Sequence, residues 1–423
     1  MAVLLLGTLD TKGTEIAFVR DLLRRQGLAV LVVDTGVLGP AAFSPDVPRE
    51  EVFRAAGTTL DAVRQTGDRG KAVTLAARGA AQVALDRHRR GEVEGILGLG
   101  GSAGTTIGTE AMRALPFGVP KLMVSTLASG QVRPYVGVRD ILMMPSVVDV
   151  SGINRISRTV LTNAAGAMAG MVLGARSRDD AARSEDRPLL GATMFGVTTP
   201  CVEAARRVVE QAGYETLVFH ATGIGGQTME SFISDGLFAG VLDLTTTELA
   251  DELVGGVLSA GPDRLTAAAL HGVPQVISLG ALDMVNFGPP ETVPQTFRGR
   301  RFYQHNPTVT LMRTTPEEND RLGKEIAQKA SAAKGPTAVL MPRRGVSAID
   351  RDGQPFWWPE ADTALFQSLR NWMSPHVRLI ELDLHINDPE FAQTAARTLL
   401  EMMEKMTHRG ERRERRERRE RQE

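Results

Sequence analysis

Short apolar runs alternate, along almost all of the 423-residue chain, with stretches whose apolar positions recur every third or fourth residue. AVLLLG at residues 2–7 has strand character. In TEIAFVRDLLRRQG, which follows it, Ile16, Val19 and Leu23 share one helical face and Gly27 supplies the stop. LAVLVVDTG predicts a second strand. A loop and a long alanine-rich helix through GKAVTLAARGAAQVALDRHRRG lead to GILGLGGSAGTT, a strand running into a glycine-rich turn. PKLMVST and DILMMPS predict further strands, and a small-residue helix containing NRISRTVLTNAAGAMAGM ends the segment. Strands alternating with helices imply right-handed crossovers and a mostly parallel sheet.

RSRDDAARSEDRP carries charge without an apolar period and ends in Pro188, which predicts a linker. Alternation then restarts with LLGATMFGVTT, CVEAARRVVEQAG, YETLVFHATG, GVLDLTTTE and PQVISLGALDMV. It continues through the helix TTPEENDRLGKEIAQKA to TAVLMPRRG and VRLIELDLHIND. The expected fold is α/β: two consecutive open, mostly parallel-sheet (Rossmann-like) domains. The N-terminal nucleotide-binding domain is placed at residues 1–176, the linker at 177–188, the second domain at 189–408 and an Arg/Glu-rich tail at 409–423. Both halves open with strand, turn, helix and strand, yet no sequence repeat is legible between them. In the tail, ERRERRERRERQE is of low complexity and Gly410 interrupts any continuation from the helix before it, so a disordered end is expected.

Composition narrows the function classes. A net charge of −1 provides no global field for nucleic acid or an anionic membrane, and aromatics at 5% are a poor supply of base-stacking platforms. The single cysteine, Cys201, rules out an internal disulfide framework and fits a reducing cytoplasm. MAVLLLGTLD lacks a basic n-region, so no signal peptide is expected. The uncharged stretch TVLTNAAGAMAGMVLGA is rich in Ala, Gly, Thr and Asn rather than Leu and Ile, which suits a buried helix better than a membrane span. Gly166 and Gly170, four apart on it, permit close helix contact. A soluble, cytoplasmic protein is expected.

The candidate chemistry gathers at strand ends, where an open parallel sheet holds its ligands. GTLDTKGT departs from the Walker pattern by transposing Lys and Gly. Gly7 permits close backbone approach, Thr8 and Thr11 offer hydroxyls, Lys12 supplies a charge for phosphate, and Asp10 is placed to hold Mg²⁺ through water. The plainer alternative is a helix cap with a solvated lysine. In LGLGGSAGTT, the glycines Gly100, Gly101 and Gly104 surround Ser102, with Thr105 and Thr106 at the helix start, a sequence suited to an anion-cradling nest. Ser125 and Thr126 stand at a third strand end, and Asp34 ends the second strand where an acidic residue meets a ribose. The G-x-G-x-x-G fingerprint is absent, which argues against a dinucleotide.

The second half carries His220, Thr222 and the glycines 223, 225 and 226; Asp243, Thr245, Thr246, Thr247 and Glu248; Asp283 and Asn286; His305 and Asn306; and Arg343, Ser347, Asp350, His385, Asn387 and Asp388. Each alone reads as a cap or turn residue; together they predict a second pocket facing the first domain. His220, His305 and Asp283 are the catalytic candidates. No pair has zinc-site spacing, and there is no G-x-S-x-G elbow. Cys201 follows Pro200 at a helix start, where a small buried residue is the simpler reading than a nucleophile.

GTLDTKG, GLGGSAGT, FHATGIGG, DLTTTELADELVGG, GALDMVNFG, HNPTVTLMR, RRGVSAID and HINDPEFA together resemble the ATP-binding domain family of the tomato tobamovirus-resistance protein. The resemblance spans Gly7 to about Phe391. It implies two α/β domains, a nucleotide in the first, and a homodimer. It also implies that GTLDTKG is a phosphate loop of its own kind; residue chemistry, rather than the resemblance, sets Lys12 against the phosphates and has the turn at Gly100 and Gly101 donate amides. The expected function is therefore an ATP-binding protein with Mg²⁺, its catalytic activity undefined. Two alternatives stay open: an ATP-dependent enzyme acting on a small acid or carbonyl metabolite in the interdomain cleft, and a module whose bound nucleotide presets a protein-interaction surface.

Overall fold

The computed structural model describes residues 1–181 and 187–420. It divides into two compact units, Met1–Asp186 and Arg187–Glu423.

The first unit contains β1 (Ala2–Gly7), α1 (Gly13–Arg25), β2 (Val30–Asp34), α2 (Arg49–Ala55), α3 (Leu60–Thr66) and α4 (Arg69–Arg89). It continues with β3 (Val93–Gly100), α5 (Ser102–Arg113), β4 (Lys121–Ser125), α6 (Arg133–Val136), β5 (Leu142–Pro145) and α7 (Arg155–Ala181). All five strands pair in parallel in the order β2-β1-β3-β4-β5. Because β1 is buried on both sides, its alternating side chains feed two cores. Val3 and Leu5 meet α1 and α7 on one face, while Leu4 and Leu6 meet α2 to α5 on the other.

The second unit contains β6 (Leu189–Met194), α8 (Thr199–Gln211), β7 (Glu215–His220), α9 (Ile224–Ser234), β8 (Gly240–Thr245), α10 (Thr247–Val254), α11 (Ala267–His271), β9 (Gln275–Gly280) and β10 (Met284–Phe287). It is completed by β11 (Phe302–Asn306), β12 (Val309–Arg313), α12 (Pro316–Ser331), β13 (Thr337–Pro342), α13 (Pro359–Trp372), β14 (Arg378–Leu382) and α14 (Pro389–Glu420). Six strands form a parallel sheet in the order β14-β13-β9-β8-β6-β7, and β10-β12-β11 form a small antiparallel sheet. Counted from the start of each unit, both parallel sheets follow the order 2-1-3-4-5, the second with one strand more. Each unit also closes with a long helix against its first one, α7 on α1 and α14 on α8. The two units thus share one sheet topology.

The two-domain parallel-sheet architecture matches the sequence expectation. The small antiparallel sheet β10-β12-β11 was not expected, and three further details depart from the reading. The segment read as a loop before α4 holds α2 and α3. The linker placed at 177–188 begins as helix, because α7 runs to Ala181, and residues 182–186 lie outside the described part. The tail expected to be disordered is helical as far as Glu420: one interior glycine costs about 1 kcal/mol relative to alanine, and the Arg and Glu around it are good helix formers. Its last residues, 421–423, also lie outside the described part. The close helix contact that Gly166 and Gly170 permit, open in the sequence between one subunit and a dimer, is not made among the described residues: a Cβ at either would meet nothing within 4 Å. Among the described residues no helix is long and apolar enough to cross a membrane.

Candidate functional site

The strand order creates the site. From β1 the chain crosses to β2 on one side, and β3 lies on the other, so helices on opposite faces leave the carboxyl ends of two adjacent strands. A crevice opens there in folds of this type. In the first unit it is a cavity of about 630 Å³, in the size range of small-molecule sites. Thr8, Asp10, Thr11 and Lys12 line it from the β1–α1 turn, and Gly100, Gly101, Ser102 and Gly104 from the β3–α5 turn.

The N-termini of α1, α4 and α5 approach this cavity, and they differ electrostatically. The first turn of α1 carries Glu15 and α4 is capped by Asp68, which accepts from Lys71 N, whereas α5 has neither an acidic residue in its first turn nor a side-chain cap. The first amides of a helix have no intrahelical acceptor and sit at the positive end of the dipole, so the α5 terminus is the anion-favouring one. Glycine brings it close. A Cβ on Gly100 would lie 2.7 Å from the Gly104 Cα, and one on Gly104 would lie 3.1 Å from the Leu99 carbonyl oxygen. Close strand–helix packing and a presented row of amides are here one arrangement.

The remaining candidates of that turn stand behind it. Thr105 is buried; its Oγ1 donates to the Gly101 carbonyl at 2.8 Å and lies 2.6 Å from Ser125 Oγ, which accepts from Leu127 N. Thr106 turns its hydroxyl to Ser102 O, and Thr126 N donates to Gly100 O at 3.3 Å. These residues brace the turn and do not line the cavity.

In the β1–α1 turn, Thr11 N and Lys12 N both donate to Thr8 O, and the Thr8 and Thr11 hydroxyls lie 2.6 Å apart. Lys12 Nζ donates to the Val150 carbonyl, which leaves two N–H bonds for a ligand. Asp10 Oδ2 accepts from Leu38 N at 2.7 Å and lies 3.5 Å from Arg49. Gly7 lies under α1: a Cβ there would meet Ile16 Cδ1 at 2.4 Å. Asp34, expected to meet a ribose, is buried away from the cavity instead. Its Oδ1 accepts from Leu9 N and Gly36 N, and its Oδ2 from Arg49. Both its oxygens have internal partners, so it holds loops rather than ligand.

The opposite wall is one that the sequence reading passed over. Val63, Ala72, Val73, Ala76 and Ile107 give it an apolar surface, with Arg64, Asp68 and Arg69 beside them and Asp149 from the segment before α7. One end of the cavity thus joins the amides of the β3–α5 turn to the Lys12 ammonium, and one wall is apolar.

Family comparisons agree with both units. The model of the N-terminal domain of "Uncharacterised protein family (UPF0261)" matches residues 1–177, and that of its C-terminal domain matches residues 187–403. The chain belongs to the UPF0261 family. A UPF0261 protein of Clostridium tetani is 50% identical over 404 residues, covering 95% of this chain and 99% of that protein. One from Mesorhizobium japonicum is 48% identical over 399 residues, 94% of this chain and 98% of that protein. The ToMV resistance protein Tm-1(GCR237) of Solanum lycopersicum is 39% identical over 421 residues, 95% of this chain but 56% of the tomato protein. The resemblance drawn from the motifs therefore holds.

In the second unit of this UPF0261 chain, the polar motifs are spent on one another. Arg264, fully buried, directs NH1 and NH2 to the two oxygens of Asp243 at 2.5 and 2.6 Å and Nε to Glu248 Oε2 at 2.6 Å, with Glu230 at 3.3 Å. The other oxygen of Glu248 accepts from Gly223 N and Gly226 N. A Cβ on Gly226 would lie 2.2 Å from the Glu248 carboxylate, so the glycine turn after His220 is a socket for that side chain. Thr245, Thr246 and Thr247 are buried at the end of β8. Asp251 accepts from Asn286 N, Asn286 Nδ2 and Leu258 N. Asn387 bridges Cys201 N and Val197 O, while His385 bonds Ser347 O and Asn387 N. Burial pushes the Cys201 thiol up to about 12, so it is no nucleophile at neutral pH.

Of the catalytic candidates, His220 is exposed at the end of β7 with its ring edge-on to Phe195, and His305 is exposed on β11. Asp283 is buried, accepting from Ser347 Oγ at 2.7 Å. No hydrogen bond joins these three among the described residues. Nor does any group of three or more His, Cys, Asp or Glu suited to a metal ion occur among them.

A second buried cluster sets a pH dependence. Arg313 reaches Asp362 at 2.5 Å and Asp350 at 3.4 Å, and Asp283 lies in its field. Burial raises all three carboxyls, Asp362 to about 7, and burial likewise raises Asp251 to about 7. Their folded values exceed their unfolded ones, so the folded state binds more protons between about pH 4 and 7. Their contribution is complete below the unfolded value and is lost as pH rises through the folded one. The urea midpoint of the second unit is expected to fall from pH 5 to pH 8, with a shallower slope in Asp362→Asn. An unchanged slope in that variant would remove the cluster as the cause.

Proposed function

We propose that the first unit binds ATP, with the phosphates on the first turn of α5 and Lys12 and the nucleoside along the apolar wall of Val63, Ala72, Val73 and Ala76. The observation that carries this reading is the uncapped, acid-free N-terminus of α5 opening into the cavity opposite Lys12. A phosphate chain suits such a terminus, and an apolar wall suits a base. Were Mg²⁺ to accompany the nucleotide, Asp10 in the cavity lining is the carboxylate that would accept a hydrogen bond from one of its waters. The site as read is a binding site, and no catalytic group is assigned.

Thermal unfolding with and without ATP and Mg²⁺ tests it. Ligand at a hundred times its dissociation constant stabilises by about 2.7 kcal/mol. The wild type is expected to show that shift and Lys12→Ala to lose most of it. No shift in the wild type rejects the nucleotide; an equal shift in both proteins moves the phosphates away from Lys12.

A further inference from the structure

Glu15 occupies the third position of α1, where a glutamate ordinarily turns back to the amide of its own N-cap residue. Here that amide, Lys12 N, is already bonded to Thr8 O. Glu15 is 2% exposed, and its Oε1 instead accepts from Gly152 N at 2.5 Å, 137 residues along the chain. One helical turn earlier, Lys12 Nζ donates to the Val150 carbonyl. Two side chains of one motif therefore grip a single segment at alternate residues. That segment also carries Asp149 into the cavity wall, and Gly152 O accepts from Ser157 Oγ of α7.

We infer that Glu15 is a positioning residue for Lys12, acting through the segment Asp149–Gly152. A lysine ammonium on its four-carbon stem has many rotamers, and fixing it costs entropy when a ligand binds. The Val150 carbonyl fixes it beforehand, and Glu15 fixes that carbonyl by holding Gly152. The role for the ligand rests on the phosphate-binding reading above; the grip on Lys12 does not.

The test has two arms. In ligand-free protein, the rate at which acetic anhydride labels Lys12 is followed by mass spectrometry in wild type, Glu15→Gln and Glu15→Leu. Glutamine keeps an oxygen acceptor and is expected to match the wild type, whereas leucine frees the ammonium and labels several-fold faster. Calorimetry with MgATP on the same proteins is expected to show Glu15→Leu binding about ten-fold more weakly, the worth of roughly one hydrogen bond, and Glu15→Gln within about two-fold. Labelling of Glu15→Leu at the wild-type rate overturns the inference, and so does faster labelling with unchanged affinity. Faster labelling in a protein whose wild type binds no MgATP rejects the nucleotide while the grip on Lys12 stands. Where Glu15→Leu does not fold, Glu15→Asp withdraws the carboxylate by about 1.5 Å and serves in its place.

Discussion

Arg264→Met is expected to destabilise the second unit by about 3–5 kcal/mol, a large part of the 5–15 kcal/mol that holds a typical domain folded. The substitution leaves Asp243, Glu248 and Glu230 buried without their shared cation, so the loss is dominated by stranded negative charge rather than by missing contacts. Arg264→Lys is expected to rescue little, because an ammonium is a point charge and cannot bond both Asp243 oxygens and Glu248 in the fixed fork these distances require. Tryptophan fluorescence during urea unfolding reads this directly, since Trp357, Trp358 and Trp372 all belong to the second unit. A midpoint within about 0.5 kcal/mol of the wild type would mean that the cluster relaxes to admit water and is not a structural keystone.

What the sequence made legible follows from what each signal encodes. Alternating period encodes element type, and the strands of the two parallel sheets were readable because each is a dense apolar run, whereas β11 (Phe302–Asn306), mostly polar and exposed, and its partner β12 were not predicted. The short helices α2 and α3 were not, since seven residues give too few turns for a period to show. Polar residues at strand ends encode only that something polar must be met there. At Lys12, Gly100 and Gly101 that something is a cavity. At Asp243 and Glu248 it is Arg264, a residue about twenty positions on with no motif of its own to announce it. Asp34 is the same lesson in the first unit, its partner Arg49 lying fifteen positions on outside any motif. The shared strand order of the two units was invisible for a different reason. Topology is kept by which strands pair, and pairing tolerates wholesale replacement of side chains so long as the apolar alternation survives.

Gly100→Ala is expected to abolish most of the ATP-dependent thermal shift while lowering stability by about 1–3 kcal/mol. Its new methyl would lie 2.7 Å from Gly104 Cα and 3.2 Å from Gly104 C, both backbone atoms that cannot rotate aside. Carbon contacts prefer about 3.5–4.0 Å, so the first turn of α5 must retreat from β3 by roughly 1 Å. That retreat carries the unpaired amides away from the end of β1 and from Lys12, so packing and binding are lost together. Gly101→Ala separates the two. Its φ of −79° suits alanine and its nearest neighbour would be Thr126 Oγ1 at 3.8 Å, so stability should stay near the wild type. If Gly100→Ala weakens the fold but keeps the full ATP shift, the amides of α5 do not hold the phosphates. The close approach of strand and helix would then serve packing alone, and Lys12 would have to find its anion elsewhere along the β1–α1 turn.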